Sequence, residues 1–375
     1  MPENKYDLII NKGFQGGFET KSLDKKDFIR ETSTLFKKPK KIFLGLGDFL
    51  EIGDYNRLLD SVFFDNKSLK LEHILDEYNR KIAEKENIPF SFFKLAVYFP
   101  DFLLRDVPTS CISDIGRKAR LFPGSETFVK YIKEYDPMVL TAIVQEMAIE
   151  FLRRMDLGEE NLISTVYKIR DDKNYKNVYA GDIERYVSGN RKILEIKEIM
   201  SRESLSEDDV VYIGCGEAGI NTFSTINSIA FNPPESIIPE SRISLYGSSL
   251  ESLLVLFNFE GELEKFMFSE AVEEFLPSLV VYSEVNEKSK ELIDIELSHR
   301  HLQANIIGQR IEHSENSFES VLREIDVAFG GASYDINKVK KMIVDRLSSF
   351  RENPLELIVK IYEIAKERYK RFPTI

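Results

Sequence analysis

Hydrophobic positions along this chain fall into two alternating rhythms. Apolar runs at Lys41 to Gly47 (KIFLGLG) and Val210 to Ile213 predict buried strands, and Pro137 to Thr141 and Leu162 to Ile169 predict two more strands. Between them, apolar residues recur every third or fourth position, which predicts helices over Ile143 to Arg154 and Arg191 to Met200. Two shorter runs, Ile229 to Asn232 and Arg242 to Tyr246, predict further strands. Strands that alternate with helices imply βαβ units and a mostly parallel sheet, so the expected class is α/β.

Elsewhere the rhythm is helical only. From Asn56 to about Phe102 it shows at Leu71, Ile74, Leu75 and Tyr78, which predicts an all-helical insertion after the first strand. Pro123 and Gly124 form a turn, and Ser125 caps a helix carrying Phe128, Val129 and Ile132. Beyond Ser248 helices dominate: Asp335 caps one through Leu347, Asn353 and Pro354 open another through Arg371, and Gly330 and Gly331 make a hinge before the pair. The expected division is therefore an N-terminal extension over 1–40, a core over 41–54 and 121–247, a cap insertion over 55–120, and a mostly helical C-terminal region over 248–375. Glycines 13, 16 and 17 in the extension lack the lysine and hydroxyl of a P-loop.

The chemistry concentrates at DDVVYIGCGEAGINTF, Asp208 to Phe223. Here a buried strand runs into Gly214, Gly216 and Gly219, whose backbone can approach a ligand at the carboxyl end of a parallel strand. One reading takes this as the G-x-G-x-x-G turn of a dinucleotide site, or as the loop of S-adenosylmethionine-dependent methyltransferases, which VVYIGCGEAG also resembles. Both expect an acid about 20 positions on to hold ribose hydroxyls. That place holds Asn232, followed by prolines.

The second reading uses strands on both sides of the turn. The order KIFLGLG, helical insertion, PGSETFVKYIKE, a strand ending at Thr141, a helix from Arg191 and then VVYIG resembles the haloacid dehalogenase (HAD) superfamily of phosphohydrolases. Within it the chain is similar to phosphoserine-phosphatase-like archaeal proteins, including the family of energy-converting hydrogenase A subunit R. The downstream segments SIAFN and ESRISLYGSSLESLLVLFNFEGELEKF are similar to that family too. The resemblance implies a three-layer Rossmann-like core, an inserted cap, and an aspartate closing the first strand that takes the phosphoryl group, with a second acid two residues on. Aligned from Lys41, the nucleophile's place falls on Leu46 and the second acid's on Asp48; shifting the register to make Asp48 the nucleophile leaves Leu50 as its partner. Thr141 meets the motif of a phosphate-binding hydroxyl, and Lys192 or Arg191 that of a cation. The two magnesium carboxylates fall on Cys215 and Gly219, with Glu217 as a substitute ligand. With nucleophile and carboxylates missing, no metal or cofactor is expected, and magnesium belongs only to an active alternative that uses Asp48, Thr141, Lys192 and Glu217. The implied protein is a non-catalytic binding or regulatory component. Its binding loop is Gly214, Cys215, Gly216, Glu217 and Gly219, and it acts through a protein partner, a second copy of itself or a small phosphorylated ligand.

Charge narrows the partners. Lys and Arg number 51 against 63 Asp and Glu, a net charge of −12 that disfavours nucleic acid. Cys111 and Cys215, the two cysteines, make no disulfide framework, and no apolar run reaches membrane-span length, so a cytoplasmic protein is expected. The motif ELSHRH puts Glu296, His299 and His301 close together, but residues two apart do not share a helix face, and surface or packing roles are expected for them.

Overall fold

A computed structural model of the chain describes residues 5–12, 17–35, 37–46, 80–88, 104–118, 121–173, 175–187, 189–215, 219–233, 237–257, 276–277, 279–283, 338, 341 and 354–371. Among the described residues ten strands form one sheet: β1 (Tyr6–Asn11), β2 (Phe18–Leu23), β3 (Lys41–Gly45), β4 (Met138–Val144), β5 (Leu162–Arg170), β6 (Val178–Arg185), β7 (Val210–Gly214), β8 (Ser228–Phe231), β9 (Ile243–Tyr246) and β10 (Leu279–Ser283). Their spatial order is β2-β1-β10-β9-β8-β7-β3-β4-β5-β6. The run from β9 through β5 is parallel throughout, while β2, β10 and β6 each pair antiparallel with a neighbour. The α/β class with a mostly parallel sheet holds.

Both faces of the sheet are covered, and the period-two alternation of the strands shows how. Ile42 and Leu44 of β3, with Val211 and Ile213 of β7, face one apolar cluster. Phe43, Val210 and Tyr212 of the same strands face another. The first cluster is filled by helices α3 (Ser125–Ile132) and α4 (Gln145–Arg154) and by the 3-10 segment Leu250–Leu256. The second is filled by α5 (Asn190–Glu203) and the short α6 (Ile220–Phe223). Fully burying one such side chain contributes about 1.5–3 kcal/mol, so a strand like β3, whose Ile42, Phe43 and Leu44 are wholly inaccessible, is held chiefly by these two faces.

The turn before α3 is fixed by its contacts. Gly124 has φ 77°, and a Cβ there would lie 2.2 Å from Ser249 Oγ, so no larger residue fits. Leu250 N–H donates to the Pro123 carbonyl at 2.8 Å and docks the 3-10 segment on the same turn.

Four strands differ from the sequence reading. Residues 1–40 are not only an extension: β1 and β2 join the sheet, and α1 (Lys25–Thr32), capped by Asp24 accepting from Asp27 N–H at 2.9 Å, packs on them. β1 pairs in parallel with β10, and Asn11 reaches Ser283 across 272 positions of sequence, a separation that no local pattern reports. β10 itself lies in a stretch read as mainly helical, and β6 returns antiparallel beside β5 with polar residues Asp182 and Glu184 along it.

Of the predicted cap, residues 80–86 are helical and α2 (Thr109–Lys118) packs on α4, where Gly116 lets the backbones close: a Cβ there would lie 2.8 Å from the Met147 carbonyl oxygen. The remainder of the cap lies outside the described residues. Of the helix predicted from Asp335, Lys338 and Lys341 are described, and both are helical. The last helix is α7 (Pro354–Arg371), opened by proline as expected. No described helix is long and apolar enough to cross a membrane.

Candidate functional site at the carboxyl ends of three parallel strands

β3 lies between β7 and β4 and runs parallel to both, so the carboxyl ends of all three strands meet along one edge of the sheet. This is the edge where open α/β sheets bind ligands. Leu46 follows β3 directly and is completely buried in the first apolar cluster. Asp48, the other candidate at this strand end, lies outside the described residues. Thr141 is buried in β4, and its Oγ1 accepts from Ile143 N–H at 3.1 Å, across an irregularity in the β4–β5 pairing between Thr141 and Val144.

Lys192 sits in the first turn of α5 and is 5% exposed. Its Nζ lies 5.9 Å from the centre of the Tyr212 ring, within cation–π range. Neighbouring Arg191 lies 3.6 Å from Glu195 on its own helix, and its Nε is buried with no hydrogen-bond partner among the described residues. The cation and the hydroxyl that the sequence singled out therefore stand on the elements around β3 and β7.

Tyr212 accounts for the glycine turn. A Cβ on Gly214 would lie 2.8 Å from the Tyr212 hydroxyl, and one on Gly219 would lie 2.7 Å from it. The ring is 2% exposed and packs edge-on against Phe223 at 5.0 Å, so it has no room to yield. Two of the three glycines are thus required by the side chain of Tyr212, two residues before Gly214 on the same strand. Gly216 and Glu217 lie outside the described residues; Cys215 is half-buried and reduced.

Asn232, in the place of a ribose-binding acid, is engaged structurally. Its Nδ2 donates to the Gly247 carbonyl at 2.8 Å, and its Oδ1 accepts from Gly247 N–H at 3.0 Å. With φ 46° it uses the left-handed conformation that asparagine tolerates, and it clamps the ends of β8 and β9 together. It supplies no carboxylate to a nucleotide.

One ionisable pair at this edge escaped the sequence reading. Glu146, in the first turn of α4, is half-buried and accepts from Tyr179 Oη at 2.8 Å. Burial pushes its carboxyl above the ordinary value of 4.5, while the Tyr179 hydroxyl pulls the other way. A glutamate opening a helix is unremarkable in sequence, and its partner lies on β6, a strand the pattern did not predict. Among the described residues no group of three His, Cys, Asp or Glu side chains can hold a metal. Glu296, His299 and His301 lie outside them.

No protein-family model and no curated protein matches the chain. The solved structures that the chain is similar to include a HAD-family hydrolase and phosphoserine phosphatases. One is a HAD-family hydrolase from Salmonella enterica serovar Typhi, 15% identical, with a TM-score of 0.46 over 65% of this chain and 76% of that one. A probable phosphoserine phosphatase from Vibrio cholerae is 12% identical, with a TM-score of 0.44 over 64% and 68%. A gene product of Archaeoglobus fulgidus is 12% identical, with a TM-score of 0.45 over 78% and 96%. At this level of superposition the case for function rests on the chain's own side chains.

Proposed function

We propose that this chain is a catalytically inactive HAD-like protein that serves as a binding or regulatory component. The observation that carries the reading is Leu46: the place the resemblance gives to the phosphoryl-accepting aspartate holds an aliphatic side chain sunk wholly in the core. An aspartyl-phosphate divides a hard hydrolysis into two easier displacements, and a leucine forms no such ester. The described positions for magnesium carboxylates, Cys215 and Gly219, offer no hard oxygen from a side chain and do not fit that ion. Lys192, the cation expected to offset phosphate charge, lies over the Tyr212 ring. Association with an archaeal energy-converting hydrogenase belongs to the same proposal and is supported by the resemblance of the segments downstream of β7.

The test is hydrolysis of a generic phosphate ester with magnesium. The wild-type chain and its Asp48→Asn variant are expected to turn over alike, at the level of the blank. Turnover by the wild type that disappears in Asp48→Asn would establish the active alternative, with Asp48 as nucleophile beside Thr141 and Lys192.

A further inference from the structure

The two outer edges of the sheet are finished differently. Along β6 the chain covers its own edge: Asp106 N–H donates to the Tyr179 carbonyl at 2.8 Å, Tyr179 N–H to Val107 at 3.1 Å, and Thr109 N–H to Asn177 at 2.9 Å. Arg371 Nη2 adds a bond to the Ile183 carbonyl at 2.7 Å. Along β2 nothing comparable occurs among the described residues. Lys12 N–H donates to the Gly17 carbonyl at 3.0 Å, which fixes the phase of the β1–β2 ladder. Hydrogen-bonded pairs alternate in an antiparallel ladder. Glu19, Lys21 and Leu23 therefore direct their backbone groups at β1, and Phe18, Thr20 and Ser22 direct theirs outward. Thr20 and Ser22 are exposed.

From this edge we infer that β2 pairs antiparallel with the β2 of a second copy, about a two-fold axis through Thr20. An isologous contact of this kind requires a self-complementary strand, and FETKSL is one. Around Thr20, Phe18 of each copy meets Ser22 of the other, and the three outward pairs exchange about six backbone hydrogen bonds. Glu19 of each copy then faces Lys21 of the other in a non-hydrogen-bonded pair, where opposite charges approach most closely. A lone lysine on an edge strand ordinarily deters pairing. Here the charge is already balanced: Lys21 contacts Glu31 at 2.7 Å and Glu19 at 3.6 Å, and Lys12 contacts Glu19. Phe18, packed at the margin of a small cluster with Ile9, Ile238, Tyr246 and Val281, gains cover from the second copy. The inference does not depend on whether the strand-end site is catalytic.

Sedimentation velocity of the full chain at micromolar concentration is expected to show a dimer. Thr20→Pro removes an outward N–H that the β1–β2 ladder does not use, at an edge position where proline is tolerated. It should lower the dimer fraction at least tenfold with the circular dichroism spectrum kept, and Thr20→Val should stay dimeric. Across a hydrogen-bonded pair the Cα atoms stand about 5.5 Å apart, within disulfide reach. Thr20→Cys should therefore give a covalent dimer on oxidation, where Lys370→Cys on α7 and the parent chain do not. A monomeric parent, a dimer that survives Thr20→Pro, or a failure of Thr20→Cys to cross-link would each overturn the inference.

Discussion

Tyr212 shows how a single residue redirects the reading of a motif. The sequence displays three glycines at ligand-binding spacing, but two of them are small because a buried phenol fills the space beside them. Gly219→Ala is expected to destabilise the chain by about 1–3 kcal/mol, the usual cost of overpacking. Chemical denaturation should show part of that loss recovered when Tyr212→Phe removes the hydroxyl; no recovery would mean that the glycine is needed for another reason. Glu146 gives a second test. Its folded pKa lies above its unfolded value, so the native state binds this proton more tightly. The resulting stability is fully present below the ordinary 4.5 and is lost as pH rises through the elevated folded value. At pH 7 Glu146→Gln, which keeps an acceptor for Tyr179, should be neutral or stabilising. The wild type should gain on that variant as pH falls toward 4, followed by denaturation across pH. The glycines and Thr141 were legible in sequence; Tyr212 and Glu146 were not, because their roles depend on what packs beside them.

Among the elements, α7 ties distant parts of the chain together. Ile361 and Ala365, four apart on one face, are buried in the main cluster. Tyr362 Oη donates to Glu86 at 2.9 Å beside the helical residues 80–86, and Arg371 Nη1 lies 2.6 Å from Asp182 on β6. Residues from the predicted cap and the edge hairpin are therefore held by the last helix. Ile361→Ala is expected to cost about 2–5 kcal/mol, and hydrogen exchange should speed up together in 80–86 and 354–371. If 80–86 keeps its protection while 354–371 loses it, the two are not coupled through α7. The apolar stripe of α7 was readable from its spacing, as was proline at its start; which surface the stripe covers was not.

At the scale of the whole molecule, one mixed sheet carries both the strand-end site and the open edge. Among the described residues β6 is covered by the chain's own backbone and β2 is not, which leaves one direction in which the sheet can extend, and the residue directly after β3 is a buried leucine. The sequence by itself determined the alternation of buried strands and amphipathic helices, the mostly parallel sheet and the glycine turn, because burial on two faces imprints a local rhythm on the chain. Only the tertiary structure decided that β1 lies beside β10, that Tyr212 sits beneath the turn and that Glu146 meets Tyr179. Those contacts join residues far apart along the chain, and a periodicity read within a dozen positions carries no record of them.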